Sequence, residues 1–401
     1  MNIYYVISAF FILFGGVLIG TYCHKNTPFY LLSFFIAASL ARPVTDSHLA
    51  WFVELVFIIV YATFKKSYAR DNRWYLLFLA IAFLSLLYST SLSKGILGIV
   101  MYCFPLFYYA LAAKAIRSIN DAEKLFQSIS KSVWAILALG IMSRFDKDIV
   151  FAYYGMGICT IPVFLYFKTR KKIFILHFAI CLLPALIIVK RTPFLGAAGA
   201  VMVFSILMYK WKAVIPSALA IILGLFLIVS IPSFRAKIFF DDEVSNTQIL
   251  SKGNAGNVNM NGRLVFWGIV LEKYYAHAPV LGSGIGTVKA YLQSDQNEFK
   301  SAFSLMHNDW LLILCEQGLV GVLSLLLFML GVLKRCIKYS ANRYPKDLRL
   351  IAAACAGSVA STMIHMFFEN CMNSFVFSTT FVFYAILNVC SREYTHNEII
   401  E

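Results

Sequence analysis

The sequence has few charged residues, and this scarcity excludes an ordinary soluble domain. Only 14% of its 401 residues are Asp, Glu, Lys or Arg, whereas 60% are hydrophobic. Soluble domains have about 25% charged residues. The composition therefore indicates a protein embedded in a membrane.

Paired cysteines and Cys/His clusters are also absent. The nine cysteines are scattered along the chain, and no CxxC pair occurs. Neither a disulfide framework nor a zinc site is therefore predicted. Five cysteines fall inside apolar segments, where a free thiol behaves as a small hydrophobic group: Cys103, Cys159, Cys181, Cys315 and Cys355.

A basic stripe that could bind nucleic acid is missing as well, although the net charge is +15. The basic residues form short clusters between apolar runs, which is the pattern that the positive-inside rule produces. Nucleic-acid binding would need a soluble basic face. The clusters lie at 65–73, 114–124, 168–172, 210–212 and 334–349.

Long apolar runs dominate what is present. A membrane helix needs about 20 largely apolar residues to cross the hydrocarbon core. The first run has no basic region before it and no cleavage signal, so a first membrane helix is favoured over a signal peptide. Predicted spans lie near 3–22, 28–41, 50–64, 74–90, 95–113, 127–143, 149–167, 173–189, 193–209, 213–231, 309–333, 350–368 and 373–390. The two short runs, 28–41 and 50–64, leave the total at 12 or 13.

Alternation of these spans places every basic cluster on one side, which is then cytoplasmic. The predicted fold is all-α and polytopic, with about 10 transmembrane helices in 1–231 and three in 309–401 before a short cytoplasmic tail. Residues 232–308 form one large periplasmic loop, and a long loop of this kind is usually functional. The turn 369–373 lies on the same outer side. Within the loop, apolar spacing from Arg263 to Tyr275 predicts an amphipathic helix on the membrane surface.

Two arginines on the outer side predict an anionic ligand. Arg191, which follows Lys190, and Arg263 have planar guanidinium groups suited to bidentate binding of phosphate. A pyrophosphate attached to a lipid fits this position. The alternative for Arg191 is that it snorkels from a helix end to lipid headgroups.

A polar sequence precedes the span that starts near 309. Histidine is the side chain that most often acts as a general base, so His307 is a candidate for this role, while Asn308 and Asp309 could cap the helix. The alternative is a helix cap with no catalytic role. Glu316 lies inside the span, and an intramembrane carboxylate is a functional candidate. Its alternative is an interhelical hydrogen bond.

Three glycines, Gly282, Gly284 and Gly286, could suggest a nucleotide-binding loop. They lack the preceding strand and the following helix of such a loop, and nucleotides are scarce on the outer side, so this function is rejected. Tight turns that bring backbone amides near a ligand are favoured instead.

In chain order, the motifs are Gly-Arg-x3-Trp, Pro-x-x-Gly-x-Gly-x-Gly and His-Asn-x9-Gly-x-x-Gly, within residues 262–321. Together they resemble the signature of the O-antigen ligase and polymerase superfamily of bacterial envelope glycan synthesis. The resemblance implies an inner-membrane glycosyltransferase that acts on the periplasmic face. Its donor would be an undecaprenyl-diphosphate-linked glycan, so neither a nucleotide sugar, a cofactor nor a metal is expected.

The resemblance also implies roles for particular residues. His307 matches the histidine that activates or orients the acceptor, and Arg263 and Arg191 match arginines that hold the diphosphate. Apart from the resemblance, Lys190 is expected beside Arg191 at the diphosphate, and Glu316 is a second catalytic candidate as an intramembrane carboxylate. Thr-Pro follows Arg191, where the family often has small residues. The implied partners are a glycan or lipid A-core acceptor, membrane lipids and a chain-length regulator protein.

The motifs do not decide between two reactions that members of the superfamily catalyse. A polymerase joins lipid-linked repeat units, whereas a ligase moves the finished chain onto lipid A-core. The polymerase is favoured. An alternative of another class is a transporter of lipid-linked oligosaccharide, but such proteins usually show inverted repeats. No internal repeat is visible here, and the polar residues gather on one side.

Overall fold

The computed structural model describes residues 3–23, 26–41, 48–142, 158–187, 192–210, 263–297, 304–372 and 375–400, with isolated positions between 212 and 230. Within these ranges the chain forms α-helices and no β-strand, which confirms the predicted all-α fold. The helices are α1 Ile3–Tyr22, α2 Thr27–Ala41, α3 His48–Tyr61, α4 Lys66–Asp71, α5 Arg73–Ser85, α6 Leu92–Ala115, α7 Ile119–Met142, α8 Thr160–Thr169, α9 Ile173–Ile187, α10 Thr192–Tyr209, α11 Arg263–Val270, α12 Thr287–Gln293, α13 Asp309–Tyr339, α14 Lys346–Phe368 and α15 Phe375–Ile400.

The helices of the described ranges follow the predicted spans. The two short runs are helical, as α2 and α3. Four described helices are long and apolar enough to cross a membrane, namely α6, α10, α13 and α14, and shorter apolar helices lie in α1, α2, α3, α5 and α9. These helices indicate a multi-pass membrane protein. The total of 12 or 13 spans stays a prediction, because much of 149–167 and 213–231 lies outside the described residues.

Helix α14 is at the centre of the bundle and packs against α8, α10, α13 and α15. Its residues 350–359 are all buried. Glycines let α10 and α14 approach closely: a Cβ atom on Gly357 would lie 2.8 Å from the carbonyl oxygen of Ala200, and one on Gly196 would lie 2.1 Å from Cε1 of His365. Small residues at such contacts are typical of membrane helices. The order of these contacts shows that α10 and α14 are antiparallel.

An aromatic cluster joins α5, α13 and α15. The ring centroids of Tyr75 and Phe381 are 4.6 Å apart, and those of Phe328 and Phe381 are 4.8 Å apart. The Tyr75 hydroxyl donates to the carbonyl oxygen of Tyr102 in α6 at 2.7 Å. Aromatic pairs add about 0.5–1.5 kcal/mol each beyond the area they bury. The cluster therefore fixes the helices on which the outer loop rests.

The basic clusters of the described helices meet at the bundle end remote from the start of α13. Asp71 accepts a hydrogen bond from Arg335 at 3.1 Å and is also paired with Arg392. Lys168 pairs with Asp347 at 2.9 Å. Residues from α4, α8, α13, α14 and α15 thus share one face, as the alternation of spans predicts. That this face is cytoplasmic stays a prediction.

Candidate active site

Helix α13 is interrupted at Gly318. This residue has φ 65° and ψ −166°, a conformation that essentially only glycine adopts. A Cβ atom there would lie 2.1 Å from the carbonyl oxygen of Val280. The interruption leaves backbone groups of α13 without their helical partners.

The segment 279–284 of the outer loop pairs with these backbone groups. The N–H groups of Leu319 and Val320 donate to the carbonyl oxygens of the first two residues of the segment, at 2.9 and 3.3 Å. In return, the N–H groups of Ser283 and Gly284 donate to the last two carbonyl oxygens of α13 before Gln317, at 2.8 and 2.9 Å. Because buried backbone groups must be paired, the loop and the interrupted helix depend on each other.

The glycines predicted as turns, Gly282, Gly284 and Gly286, have positive φ angles of 75°, 96° and 84°. A Cβ atom on Gly284 would lie 2.7 Å from Cα of Ser89, and one on Gly286 would lie 2.3 Å from the nitrogen of Gly95. The loop is therefore wedged between α13 and the α5–α6 connection. The N–H groups of Gly282 and Gly284 donate to protein carbonyls. Contrary to expectation, these two amides are not available to a ligand.

Glu316 lies buried beside this loop, with 3% of its surface exposed. Its Oε1 accepts hydrogen bonds from the N–H groups of Val288 at 3.1 Å and Lys289 at 3.2 Å, at the start of α12. It stands two helical turns, about 10 Å along the axis, from the start of α13. The structure thus does not join Glu316 to His307. We infer that Glu316 is a positioning residue that fastens α12 to α13.

We expect Glu316→Ala to lower the free energy of unfolding by about 2 kcal/mol, because two N–H groups lose their acceptor. Glu316→Gln keeps an acceptor oxygen and should cost about half as much. Thermal unfolding of the purified protein in detergent measures both effects. A Gln variant that unfolds like the parent protein but transfers no glycan would instead assign Glu316 to proton transfer.

The polar residues at the start of α13 have separate roles. Asn308 is the N-cap predicted from the sequence, and its Oδ1 accepts a hydrogen bond from the Leu311 N–H at 3.0 Å. Asp309 Oδ2 accepts from the Met372 N–H at 2.8 Å and so ties α13 to the turn after α14. His307 has φ 50°, a left-handed conformation that costs about 1–2 kcal/mol. Strain of this kind is concentrated at functional sites.

The His307 imidazole lies against the carboxylate of Glu369. Nδ1 and Oε2 are 3.3 Å apart, and the two side chains are 28% and 11% exposed. An ionised Glu369 carboxylate can only accept a hydrogen bond, so with Glu369 ionised Nδ1 donates and the lone pair of a neutral imidazole is on Nε2. The arrangement equips Nε2 to accept a proton.

Cys371 is buried in the same turn as Glu369. Burial, and then the nearby Asp309 carboxylate, raise the pKa of the Cys371 thiol well above its ordinary value. The thiol therefore stays protonated, and a protonated thiol is a poor nucleophile.

Arg263 approaches this turn from α11, of which it is the first residue. Its Nη1 donates to the carbonyl oxygen of Phe368 at 3.1 Å. Glu369 directly follows Phe368, so two consecutive residues hold both Arg263 and His307. A guanidinium has five N–H donors, and this contact uses one of them. The others can bind an anion beside His307.

Trp267 fixes the chain that leads into His307. Its Nε1–H donates to the carbonyl oxygen of Met306 at 2.9 Å. Phe266 and Val270 on the same helix are buried in a small core with Met306. This core holds the arginine-bearing and histidine-bearing segments together.

The amphipathic helix predicted from 263 to 275 is present as α11 followed by one π-helical turn, Leu271–Tyr275. Its buried face packs on protein, whereas Leu264 and Val265 are 39% and 43% exposed. Contact of these two side chains with the membrane stays a prediction.

Lys190 and Arg191 lie outside the described residues, so their binding to a diphosphate stays a prediction. Helix α10 begins directly after them, at the buried Thr192. Because α10 and α14 are antiparallel, the start of α10 lies beside the end of α14 that leads into Glu369. The positive end of the α10 dipole therefore lies at the same end of the bundle as Glu369.

Glu369 is a site residue that the sequence motifs did not indicate. The alternation of spans predicts it on the outer side with His307, but 62 residues separate the two and no spacing links them. The one sequence feature that could have indicated Glu369 is that it is a carboxylate in a turn predicted to lie on the outer side.

Residues 176–329 match the family model described as O-Antigen ligase. The matched segment includes Arg191, Arg263, His307 and Glu316, and it ends before Glu369. The match is consistent with the superfamily that the motifs resemble, and it indicates a glycosyltransferase-like membrane enzyme of O-antigen or polysaccharide assembly. No curated protein sequence matches the chain significantly.

Proposed function

We propose that the chain is a membrane glycosyltransferase with an undecaprenyl-diphosphate-linked glycan as donor, and the match of residues 176–329 to the O-Antigen ligase family model supports this proposal. The enzyme lies in the bacterial inner membrane and acts on its periplasmic face. It transfers the glycan to a hydroxyl group and releases the lipid diphosphate. The favoured acceptor is the glycan of another lipid-linked unit, which makes the enzyme an O-antigen or surface polysaccharide polymerase.

One observation supports this proposal most directly. The last residue of α14 holds Arg263 through the carbonyl oxygen of Phe368, at 3.1 Å, and the next residue holds His307 through the carboxylate of Glu369, at 3.3 Å. A permanent cation and a basic nitrogen are therefore joined by adjacent residues. Transfer from a lipid diphosphate needs this pair, because one group binds the leaving diphosphate and the other takes the acceptor proton.

His307 acts on the acceptor side. Nε2 takes the proton of the acceptor hydroxyl as the oxygen attacks the anomeric carbon. The Glu369 carboxylate holds the imidazole through Nδ1 and stabilises the imidazolium that forms, as the carboxylate of a Ser-His-Asp triad does. The proton leaves the site after the glycosidic bond has formed.

Arg263 acts on the donor side. As the bond from the anomeric carbon to the diphosphate oxygen breaks, negative charge collects on the diphosphate. Charged N–H groups bind phosphate oxygens more strongly than neutral donors do. Arg191 and Lys190 are proposed to complete this site, at the positive end of α10. Neither a metal nor a nucleotide sugar enters the mechanism.

A ligase is the second candidate, because the match to the family model described as O-Antigen ligase does not decide between the two reactions. A ligase would use the same donor site but would place lipid A-core at His307. A polymerase, in contrast, would bind a second lipid-linked unit and could act with a chain-length regulator protein. The residues around His307 and Arg263 serve both reactions.

The envelope polysaccharide of a deletion strain tests the proposal. We expect lipid A-core that carries a single repeat unit, because a polymerase is missing while ligation continues. A bare core with accumulated lipid-linked polymer would identify the chain as the ligase. If purified protein moved labelled lipid-linked glycan across vesicle membranes and formed no glycosidic bond, the enzyme proposal would be rejected in favour of a transporter.

A further inference from the structure

Two adjoining cavities lie at the face of the bundle opposite His307. The larger, of about 690 Å³, lies between the ends of α3, α6 and α15 and is lined by Lys65, Lys114, Arg117 and Arg392 among others. The smaller, of about 240 Å³, shares Lys114 and Arg117 and adds Lys124. Five cations thus line these two adjoining cavities, whose sizes suit a small ligand.

Few carboxylates offset this charge. Arg392 is paired with Asp71, which also pairs with Arg335. Two carboxylates, Glu393 and Asp121, line the cavities with the five cations, and Asp121 accepts a hydrogen bond from the Arg117 backbone N–H at 3.1 Å. In the described part of the chain, the side chains of Lys65, Lys114 and Arg117 form no ion pair. The region therefore carries an excess of positive charge with free N–H donors.

Apolar side chains border the same region. Phe64, next to Lys65, is 59% exposed, and Val60 one turn earlier is 66% exposed. The Phe64 ring packs edge-on against Phe107 of α6, with centroids 5.5 Å apart. Exposed apolar groups at the end of a membrane helix face lipid chains, while the cations beside them lie at headgroup depth.

We propose that these cavities bind the phosphate-bearing headgroup of an anionic phospholipid. The cations at Lys114 and Arg117 contact the phosphate from α6 and its C-terminal end, and the acyl chains run along Val60 and Phe64. Basic pockets between membrane helices commonly bind anionic headgroups. The site is remote from the proposed donor site and independent of the glycosyl-transfer proposal.

Native mass spectrometry of the full-length protein in detergent tests the proposal, with phosphatidylglycerol and phosphatidylcholine as probes. We expect preferential retention of phosphatidylglycerol. The double variant Lys114→Gln/Arg117→Gln should retain it about 25-fold less well, since each surface cation contributes about fivefold. Lys171→Gln/Lys172→Gln is the matched control, because it removes the same charge from exposed positions on the same face that line neither cavity.

Three outcomes would overturn the proposal. One is equal loss in the control and cavity variants, which would show general surface attraction. Another is equal retention of the two lipids. The third is displacement of phosphatidylglycerol by millimolar inorganic phosphate, which would make free phosphate the ligand. The variant Lys114→Arg/Arg117→Lys keeps the charge and should restore retention, which separates a lost site from a misfolded protein.

Discussion

His307→Ala is expected to abolish glycan transfer while the protein still inserts into the membrane at a normal level. A positioned general base contributes about 10²–10⁴-fold to a rate, so the product ladder of a complemented deletion strain should disappear. The substitution leaves the strain of the φ of 50° in place, because alanine meets the same backbone restriction. Gel analysis of the polysaccharide and immunoblotting of the membrane fraction measure the two effects.

His277→Ala is the matched control for this experiment. His277 lies in the same outer loop and is exposed, so its loss should leave the ladder unchanged. Glu369→Gln keeps the size of the side chain but removes the charge that stabilises an imidazolium, and it should reduce transfer less than His307→Ala does. The double variant should be no worse than His307→Ala alone, because residues that act as one unit are not additive. An unchanged ladder in His307→Ala would remove this residue from the mechanism.

The sequence motifs indicate Arg263 on the donor side and His307 on the acceptor side of the proposed reaction. They do not indicate Glu369, which holds His307 beside the residue that holds Arg263. His307 and Arg263 can be recognised because each lies in a local motif. Each also has a polar side chain, an imidazole or a guanidinium, that is rare in an apolar chain. Glu369 has no such motif. Its relation to His307 depends on the packing of α13 against α14, which brings together turns far apart in the sequence. Local spacing carries no information about that contact.

The glycine loop illustrates the same limit at the level of the backbone. Turn-forming glycines at 282, 284 and 286 are visible in the sequence, and all three have positive φ. These glycines belong to the segment that pairs with α13 at its interruption, Gly318. In the sequence this interruption is visible only as one glycine within an apolar helix. Backbone hydrogen bonds between the two segments do not select particular side chains, so the pairing leaves no pattern beyond the glycines themselves. The positioning role of Glu316 is hidden in the sequence for the same reason, because its Oε1 accepts hydrogen bonds from backbone N–H groups.

The charge pattern is more informative than the motifs about the whole fold. The positive-inside rule groups clusters that are distant in sequence, and the structure brings Asp71, Arg335 and Arg392 together at one face. The rule works because the cost of moving a cation across the membrane applies to every loop alike. It does not predict which cation pairs with which carboxylate, because that depends on helix rotation.

Arg263→Lys is expected to reduce the turnover rate by about 10²–10³-fold, the loss typical of removing one donor to a developing negative charge. Lysine keeps the positive charge, but it lacks the planar fork that binds two phosphate oxygens at once. Arg263→Ala should lose at least as much. Transfer by purified protein from a lipid-diphosphate-linked donor measures the effect. Arg343→Lys, an exposed position on the opposite face, should have no effect.

Thermal unfolding decides whether Arg263 acts on the diphosphate or only on the fold. Its single described hydrogen bond goes to Phe368, and a lysine ammonium can also donate to that carbonyl oxygen. The Arg263→Lys variant should therefore unfold at a temperature close to that of the parent protein, whereas its transfer rate falls. The substitution removes the second edge of the guanidinium, which is proposed to bind the anion. If activity and unfolding temperature instead fell together in both variants, the arginine would serve to hold α11 on the turn. The diphosphate would then depend on Arg191 and Lys190 alone.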